Sequence, residues 1–203
     1  MGNNSDREVS ISLRIQACMA GGNIMLDQNK TGLIVVDIQG RLARLVDNSE
    51  EMISNVQRLI KGCRILSMPI IWLEQIPEKL GDTVPEISKL LEDQEPIAKL
   101  SFGGCGNEKF IQTVKDSSCH QWLICGIETH ICVYQTVYGL LDMGHQVEVV
   151  SDAVSSRVPA NKELALNKVQ ALGAGLTSVE MCIYELMKRA DHLGFKSMLP
   201  LFK

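Results

Sequence analysis

The segment Gly32-Leu-Ile-Val-Val-Asp37 is a continuous apolar run that ends in a carboxylate. Runs of this kind are typical of strands that are buried on both faces, as the strands of a parallel sheet are. Comparable runs cover residues 69–74, 120–125 and 146–150. We therefore expect these four segments to form the centre of one parallel sheet.

Amphipathic stretches separate the strand-like runs. Between residues 48 and 66, apolar side chains recur at the spacing of one helix face, and Asn48 with Glu51 makes a capping box. Further helices are predicted over 83–91, 107–114, 129–143, 161–172 and 179–189, a short strand over 175–178, and a short strand or extended loop over 96–99. Strict alternation of strand and helix predicts an α/β fold, with a single doubly wound, Rossmann-like parallel sheet and helices on both faces.

Composition narrows the class of protein. The 203 residues are 45% hydrophobic and 22% charged, which excludes a disordered chain. The net charge of −4 argues against a nucleic-acid partner, and no stretch reaches the roughly 18 apolar residues that cross a membrane. Seven cysteines, an odd number with no C-x-x-C pair, predict a reducing compartment such as the cytoplasm rather than a disulfide scaffold.

Residues 1–29 differ in composition from the remainder of the chain. They begin with a polar segment, and Arg14 and Gln16 interrupt a mildly apolar stretch, which argues against a signal peptide. We expect residues 1–29 to be an N-terminal extension that is either flexible or swapped onto a partner subunit, with Met25 as an alternative start. Residues 30–203 then make up the folded domain.

Three side chains fall where a parallel sheet places its ligand crevice, at the carboxyl ends of the strands. Asp37 ends the first strand, Lys99 ends the segment 96–99, and Cys132 begins the helix after the third strong strand. A helix N-terminus and a nearby lysine stabilise a thiolate, and an aspartate can accept the thiol proton. On spacing alone, a turn aspartate and a buried, unreactive cysteine remain open as alternatives.

Three local strings resemble a known family in the correct order. The first is Val36-Asp37-Ile38-Gln39, the second Gly126-Ile127-Glu128-Thr129-His130-Ile131-Cys132-Val133, and the third covers residues 151–157. Together they resemble the isochorismatase-like cysteine hydrolases over residues 30–195. The segment 74–86 is similar to one branch of that family, the YcaC-like and isochorismatase-domain-containing proteins.

The resemblance implies an Asp-Lys-Cys triad. Cys132 would be the nucleophile, Asp37 the proton acceptor and donor, and Lys99 the group that holds the thiolate and orients Asp37. The family also carries a non-proline cis peptide before the nucleophile helix, which would lie here between Ile127 and Glu128. Its role would be to direct backbone N–H groups at the oxyanion of a tetrahedral intermediate.

Two departures from other branches narrow the implied chemistry. The nicotinamide-processing branch binds a metal through Asp-x-His and a later histidine, whereas no histidine lies between Asp37 and Lys99. The resemblance therefore implies neither a metal nor an organic cofactor. Isochorismate-cleaving members have a different residue in place of the nucleophile, so Cys132 indicates an acyl or amide-type small-molecule substrate.

Several neighbouring side chains are candidates for the substrate pocket. Gln39 belongs to the first motif. Glu74 and Gln75 lie at the end of the second strand, where a solvated loop is the alternative. Phe102 would be an apolar wall of the pocket or ordinary core, with core favoured. His130 is expected at the surface or the pocket rim, because helical positions two residues apart do not face each other.

The functional prediction is a metal-free cysteine hydrolase that acts on a small amide, carbamoyl or related C–N compound through a thioester-type intermediate. The alternative is a non-catalytic binding or scaffolding member of the same fold. A third hypothesis is a thiol redox enzyme in which Cys125 resolves Cys132. The family resemblance also implies a homo-oligomer, with the apolar C-terminal segment 195–202 at a subunit contact.

Overall fold

The computed structural model describes residues 25–203. Its framework is one sheet of six strands, all paired in parallel. The strands are β1 (Thr31–Val36), β2 (Ile70–Gln75), β3 (Ile97–Lys99), β4 (Gln121–Ile127), β5 (Gln146–Ser155) and β6 (Gly175–Thr177). The predicted doubly wound α/β fold is confirmed.

The strand order is β3-β2-β1-β4-β5-β6. The chain therefore builds outward from β1 on one side and then restarts at β4 on the other. Loops leave the carboxyl ends of β1 and β4 in opposite directions, and the gap between them is the usual ligand site of such sheets.

Helices cover both faces of the sheet. They are α1 (Leu42–Leu45), α2 (Ser49–Ile65), α3 (Pro77–Leu80), α4 (Pro85–Ser88), α5 (Glu108–Asp116), α6 (Tyr134–Asp142), α7 (Pro159–Ala171), α8 (Val179–Met187) and α9 (Phe195–Met198). Short 3-10 turns span Gly104–Gly106 and Leu199–Leu201, and a π-helical turn, Thr129–Val133, precedes α6.

The core consists of two apolar layers, and β1 contributes to both. Leu33 and Val35 face the layer that contains α2 and α8, whereas Ile34 and Val36 face the layer that contains α5 and α6. All four side chains are fully buried. This explains why β1 reads as a continuous apolar run: successive side chains of a strand point to opposite faces, and here both faces are covered.

Three of the differences between the local predictions and the structure concern one helix start and two strand ends. Asn48 has a left-handed backbone (φ 47°) and no side-chain capping bond, so the predicted capping box is wrong. The strand predicted to end at Cys125 continues through Gly126 to Ile127, and β5 continues to Ser155 past a bulge in its pairing with β4. In both cases sheet pairing extends the strand beyond the apolar run that identified it.

The predicted N-terminal extension lies largely outside the described residues, which begin at Met25. The described part of it contacts the domain: Leu26 is fully buried, and its backbone N–H donates to Glu185. Gln121 accepts from the N–H of Asp27. Within residues 25–203, no helix has the length and apolar character needed to cross a membrane.

Candidate active site

Asp37, Lys99 and Cys132 all lie at the carboxyl edge of the sheet. Asp37 directly follows β1, Lys99 is the last residue of β3, and Cys132 lies in the π-helical turn after β4. Asp37 and Cys132 therefore flank the point where the strand order reverses. Because β2 separates β3 from β1, the long lysine side chain reaches across β2 to meet Asp37.

Lys99 and Asp37 form a buried ion pair. Lys99 Nζ lies 2.7 Å from Asp37 Oδ2, and neither side chain is more than 2% exposed. The ammonium also donates to Gln75 Oε1 at 2.7 Å and to the backbone oxygens of Phe102 at 2.9 Å and Ser101 at 3.3 Å. A buried charge needs such a set of oxygens, because transfer from water without partners is very costly.

The second oxygen of Asp37, Oδ1, is buried and has no hydrogen-bond partner within the described chain. Burial raises the pKa of the Asp37 carboxyl, although the charge and hydrogen bond of Lys99 and the nearby Cys132 thiol oppose the shift. The neighbouring Glu74 raises it further. Asp37 is thus a carboxylate with one oxygen anchored and the other open, and its pKa is moved toward the range in which it can both accept and donate a proton.

The Cys132 side chain is nearly closed to solvent, with 8% of its surface exposed. Burial and then the negative charge of Asp37 raise its pKa to about 12, a shift that Lys99 opposes and Glu128 reinforces. The direction of this shift runs against the expectation that the sulfur is held as a thiolate. The helix start and the lysine are present, but desolvation and two carboxylates oppose ionisation of the thiol.

The chain segment that leads to Cys132 begins with an unusual backbone conformation at Gly126. Gly126 has a φ of +117°, and a Cβ at this position would lie 2.0 Å from the carbonyl oxygen of Val36. Only glycine fits here, because the backbones of β1 and β4 approach closely. The next peptide bond, between Ile127 and Glu128, is cis.

Thr136, which follows the second family-like segment, ties the turn that carries Cys132 to the loop after Lys99. Its hydroxyl donates to the carbonyl oxygen of Cys132 at 2.7 Å and accepts from the N–H of Gly104 at 2.9 Å. The carbonyl of Glu128 accepts from the amides on either side of Cys132. These bonds fix the turn that presents the sulfur.

Glu128 and His130 are both engaged on the outer side of this turn. Glu128 is buried and pairs with Arg157 through the guanidinium and the backbone N–H. Burial raises the pKa of Glu128, but the bonds from Arg157 outweigh it and lower the pKa overall. His130 is half-buried and contacts Ser156 Oγ at 3.0 Å and Asn161 at 3.5 Å. His130 thus forms its hydrogen bonds with Ser156 and Asn161 and not with Cys132.

Gln39, Glu74 and Phe102, which the sequence indicates as candidate pocket residues, differ in their burial and in their hydrogen-bond partners. Gln39 is fully buried, and its amide binds the backbone of Gln75 and Gly81, so it holds the chain after β2 in place. Glu74 is buried rather than in a solvated loop, and it accepts from the backbone and hydroxyl of Thr83. Phe102 does not belong to the core, because 55% of its surface is exposed. Its backbone carbonyl oxygen accepts a hydrogen bond from Lys99 Nζ.

The redox hypothesis fails on geometry. Cys125 packs in the layer that contains α2 and α8, whereas Cys132 packs in the layer that contains α5 and α6. The two sulfurs therefore lie on opposite faces of the sheet. Cys125 is fully buried, and burial raises its pKa well above the ordinary value, so it cannot serve as the resolving thiol.

The described part of the chain contains at least two cavities. One of about 380 Å³ lies between the loop after Lys99 and α6, and Ser101, Cys105 and Tyr138 contribute to its wall. Another, of about 260 Å³, is polar and lies between α2, β5 and α7. Across residues 25–203, no three His, Cys, Asp or Glu side chains are grouped so as to hold a metal ion.

Comparison with known proteins places the chain in a family. The family model for the isochorismatase domain matches residues 31–181. The chain is 36% identical over 180 residues to the secreted isochorismatase effector Isc1 of Phytophthora sojae, covering 84% of this chain and 83% of that protein. It is 34% identical over 169 residues to isochorismatase domain-containing protein 2 of Danio rerio, covering 83% and 85%.

Solved structures agree with this assignment. The MAR1 ribonuclease of Caenorhabditis elegans is similar with a TM-score of 0.83 and 37% identity, covering 88% of this chain and 92% of that chain. YcaC of Escherichia coli, described as an octameric hydrolase of unknown specificity, has a TM-score of 0.83 and 25% identity, covering 89% and 91%. The YcaC-like resemblance of the sequence is thereby confirmed, and the chain belongs to the isochorismatase domain family of hydrolase folds.

Proposed function

We propose that this protein is a cysteine hydrolase that cleaves a C–N bond in a small amide, carbamoyl or related compound. Asp37, Lys99 and Cys132 form its triad. The observation that supports this most directly is the state of Asp37: Lys99 holds one carboxylate oxygen, and the other lies buried without a hydrogen-bond partner beside the Cys132 thiol. An oriented base next to a thiol is the arrangement that nucleophilic catalysis requires.

The first half-reaction forms an acyl-enzyme. Because the resting thiol has a pKa of about 12, its proton moves to Asp37 as the sulfur attacks the substrate carbonyl, rather than beforehand. A C–S bond forms, and the carbonyl π electrons move onto oxygen. When the intermediate collapses, the C–N bond breaks, and Asp37 returns the proton to the leaving nitrogen.

The second half-reaction releases the acyl group. Water attacks the thioester carbon and gives one proton to Asp37, and collapse breaks the C–S bond. The departing sulfur recovers the proton from Asp37, which restores the resting site and releases an acid. Lys99 keeps Asp37 oriented in both steps and offsets part of its negative charge.

Backbone N–H groups near Glu128 and Cys132 supply the oxyanion site in this proposal. The cis bond between Ile127 and Glu128 and the π-helical turn set the direction of this stretch of backbone. Donors that are already oriented stabilise charge developing on oxygen without reorganisation, typically by about 3 kcal/mol for one donor.

A screen of small amides, carbamoyl compounds and related C–N substrates tests the proposal, with release of ammonia or amine as the readout. Cys132→Ala and Cys132→Ser are the controls, and trapped acyl-enzyme is sought on the Cys132 peptide by mass spectrometry. Hydrolysis by the wild type alone, with an adduct on Cys132, supports the proposal. Equal behaviour of wild type and both variants contradicts it and favours the scaffolding alternative.

The name of the Caenorhabditis elegans relative makes RNA a second substrate class for the same screen. The net charge of −4 argues against it, because binding of a phosphate backbone needs basic side chains. RNA cleavage by the wild type that Cys132→Ala abolishes, with no amide turnover, would replace the amide proposal.

We also propose a homo-oligomer in a reducing compartment such as the cytoplasm. The octameric YcaC supports the first part. The second is supported by the six cysteines of the described chain, all of which are free. Sedimentation as a monomer at micromolar concentration would contradict the first part. Recovery in a secreted fraction, as the name of the Phytophthora relative suggests for that protein, would contradict the second.

A further inference from the structure

We propose that Gln75 is the positioning residue for Lys99, fixing the ammonium between Asp37 and the loop that follows β3. This inference rests on the proposed hydrolase function and adds to its triad a residue that does not touch the reacting atoms. Gln75 is buried at the end of β2, directly opposite Lys99 in the register of β2 and β3.

The side-chain amide of Gln75 is oriented by two different neighbours. Its Oε1 accepts from Lys99 Nζ at 2.7 Å, and its Nε2 donates to the carbonyl oxygen of Leu100 at 2.8 Å. The reverse orientation would place the amide nitrogen against the ammonium and its oxygen against a carbonyl. Gln75 therefore has one favourable orientation, and in it the residue binds both the lysine and the loop.

The backbone of Gln75 is fixed as well. Gln39 Oε1 accepts from the N–H of Gln75 at 2.6 Å, and Gln39 Nε2 donates to its carbonyl oxygen at 3.2 Å. The adjacent N–H of Ile76 donates to the carbonyl of Lys99. The backbone of Gln75 is thus held by bonds that do not involve the ammonium. A residue that positions another group needs such independent support.

The ammonium of Lys99 is fully occupied by this arrangement. It carries three N–H donors, and four oxygens lie within 3.3 Å: those of Asp37, Gln75, Ser101 and Phe102. No donor is left for the sulfur of Cys132. Lys99 therefore acts on the thiol through its charge and through Asp37, and the effect depends on where Gln75 and the loop hold it.

Loss of the Gln75 amide removes two supports at once. Lys99 loses one acceptor directly, and the loop at Leu100 is released, which loosens the two carbonyls that follow it. The charged groups around Cys132 are Asp37, Lys99 and Glu128, and Glu74 also acts on Asp37. Only Lys99 among them favours the thiolate, so a displaced Lys99 makes the thiol harder to ionise.

The rate of Cys132 alkylation by iodoacetamide tests the inference without any knowledge of the substrate. Full-length wild type and Gln75→Met are compared between pH 7 and 10, and modification is quantified on the Cys132 peptide by mass spectrometry. We expect Gln75→Met to react at least about threefold more slowly throughout this range, since the rate follows the thiolate fraction.

Gln121→Met is the matched control. Gln121 is also a buried strand glutamine with a fully bonded amide, but it lies at the amino end of β4, bonded to Asp27, Thr31 and Gln146. It is expected to lose stability without a change in Cys132 alkylation beyond about twofold. Equal alkylation of the two variants would overturn the inference, because Gln75 would then be merely structural.

Gln75→Glu keeps the inference testable if Gln75→Met does not fold. It retains the size and the oxygen that faces Lys99, but it adds a negative charge and cannot donate to Leu100 when ionised. We expect slower alkylation, and an unchanged rate would overturn the inference. If the substrate screen fails while alkylation follows these expectations, the hydrolase proposal alone is lost. If Cys132 of the wild type does not react with iodoacetamide up to pH 10, this would count against both the hydrolase proposal and the positioning role of Gln75.

Discussion

Lys99 Nζ and Asp37 Oδ2 are 2.7 Å apart at a point where neither side chain reaches solvent. The two residues are 62 positions apart in the sequence and are brought together because β3 and β1 end at the same edge of the sheet. A buried ion pair of this kind contributes little net stability relative to an apolar pair, but removal of one partner leaves an uncompensated charge.

Lys99→Met is therefore expected to lower the free energy of unfolding by about 3–5 kcal/mol. The double variant Asp37→Asn/Lys99→Met should be less destabilised than Lys99→Met alone, because the unpaired carboxylate is gone. Urea unfolding of both variants and the wild type measures this. A double variant that is no more stable than Lys99→Met would show that the pair is not coupled.

Cys132→Ser should abolish hydrolysis, with a loss of at least about 10³-fold, while the fold remains intact. The side chain is small and buried, and serine occupies nearly the same volume. A hydroxyl has a pKa far above that of a thiol, so Asp37 cannot activate it in the same geometry. The activity assay and thermal unfolding are run side by side. Retained turnover would assign the nucleophile to another residue.

Stability should fall as the pH rises above 9. Burial raises the pKa of Cys63 to about 12, that of Cys132 to about 12 and that of Cys105 to about 11, from an ordinary value of 9.0. Above pH 9 the unfolded chain releases these protons and the folded chain retains them. Stability that is complete below pH 9 is thus lost on approach to the folded-state pKa values. The loss is about 1.4 kcal/mol per pH unit for each of the buried thiols Cys63 and Cys132, and less for the half-buried Cys105, which solvent screens.

Urea unfolding under reducing conditions at pH 8, 9 and 10 checks this sign. Cys105→Ala, at a half-buried thiol, should show a shallower decline from pH 9 to 10 than the wild type, because one titrating group is removed. Stability that rises over this interval would contradict the raised pKa values.

Gly126→Ala should prevent folding or lower the free energy of unfolding by more than about 3 kcal/mol. The new Cβ would lie 2.0 Å from the Val36 carbonyl oxygen, where β4 pairs with β1 shortly before the turn that carries Cys132. Gly144→Ala is the matched control, because Gly144 also has a positive φ (+85°) but nothing within 4 Å of the added atom. It should lose only about 1 kcal/mol. Equal losses would show that backbone conformation, and not the close approach, sets the requirement at Gly126.

Much of the fold could be predicted because burial of a parallel sheet leaves a direct mark on composition. Both faces of β1 and β4 are covered, so after the polar first residue of each strand the remaining residues are apolar or glycine. Element ends were less predictable. Gly126 and Ile127 continue β4 through pairing with β1 and β5, and the left-handed Asn48 depends on how the chain enters α2. Such features follow from neighbours that are distant in the sequence.

The candidate site also has features that the sequence predicts and features that depend on the fold. Asp37 and Cys132 could be singled out from the sequence because each follows an apolar run within a family-like motif. Lys99 was less certain, since residues 96–99 could form either a strand or an extended loop, and its role came from the family resemblance. The sequence did not determine the protonation state of the sulfur. Helix position and a nearby lysine favour a thiolate, whereas desolvation and the facing Asp37 carboxylate, which only folding brings together, raise its pKa to about 12.

The surroundings of Lys99 depend on how the strands pair. The sequence indicates Gln75, with Glu74, as a possible pocket residue at the end of the second strand, but only the register of β2 and β3 places it against the ammonium. In the folded chain, the side chains of Gln39 and Glu74 hold the segment after β2 through Gly81 and Thr83. Phe102 is exposed. The physical reason is that hydrogen bonding and desolvation depend on distances of a few ångströms between segments, and strand pairing sets those distances, whereas the order of residues along the chain does not.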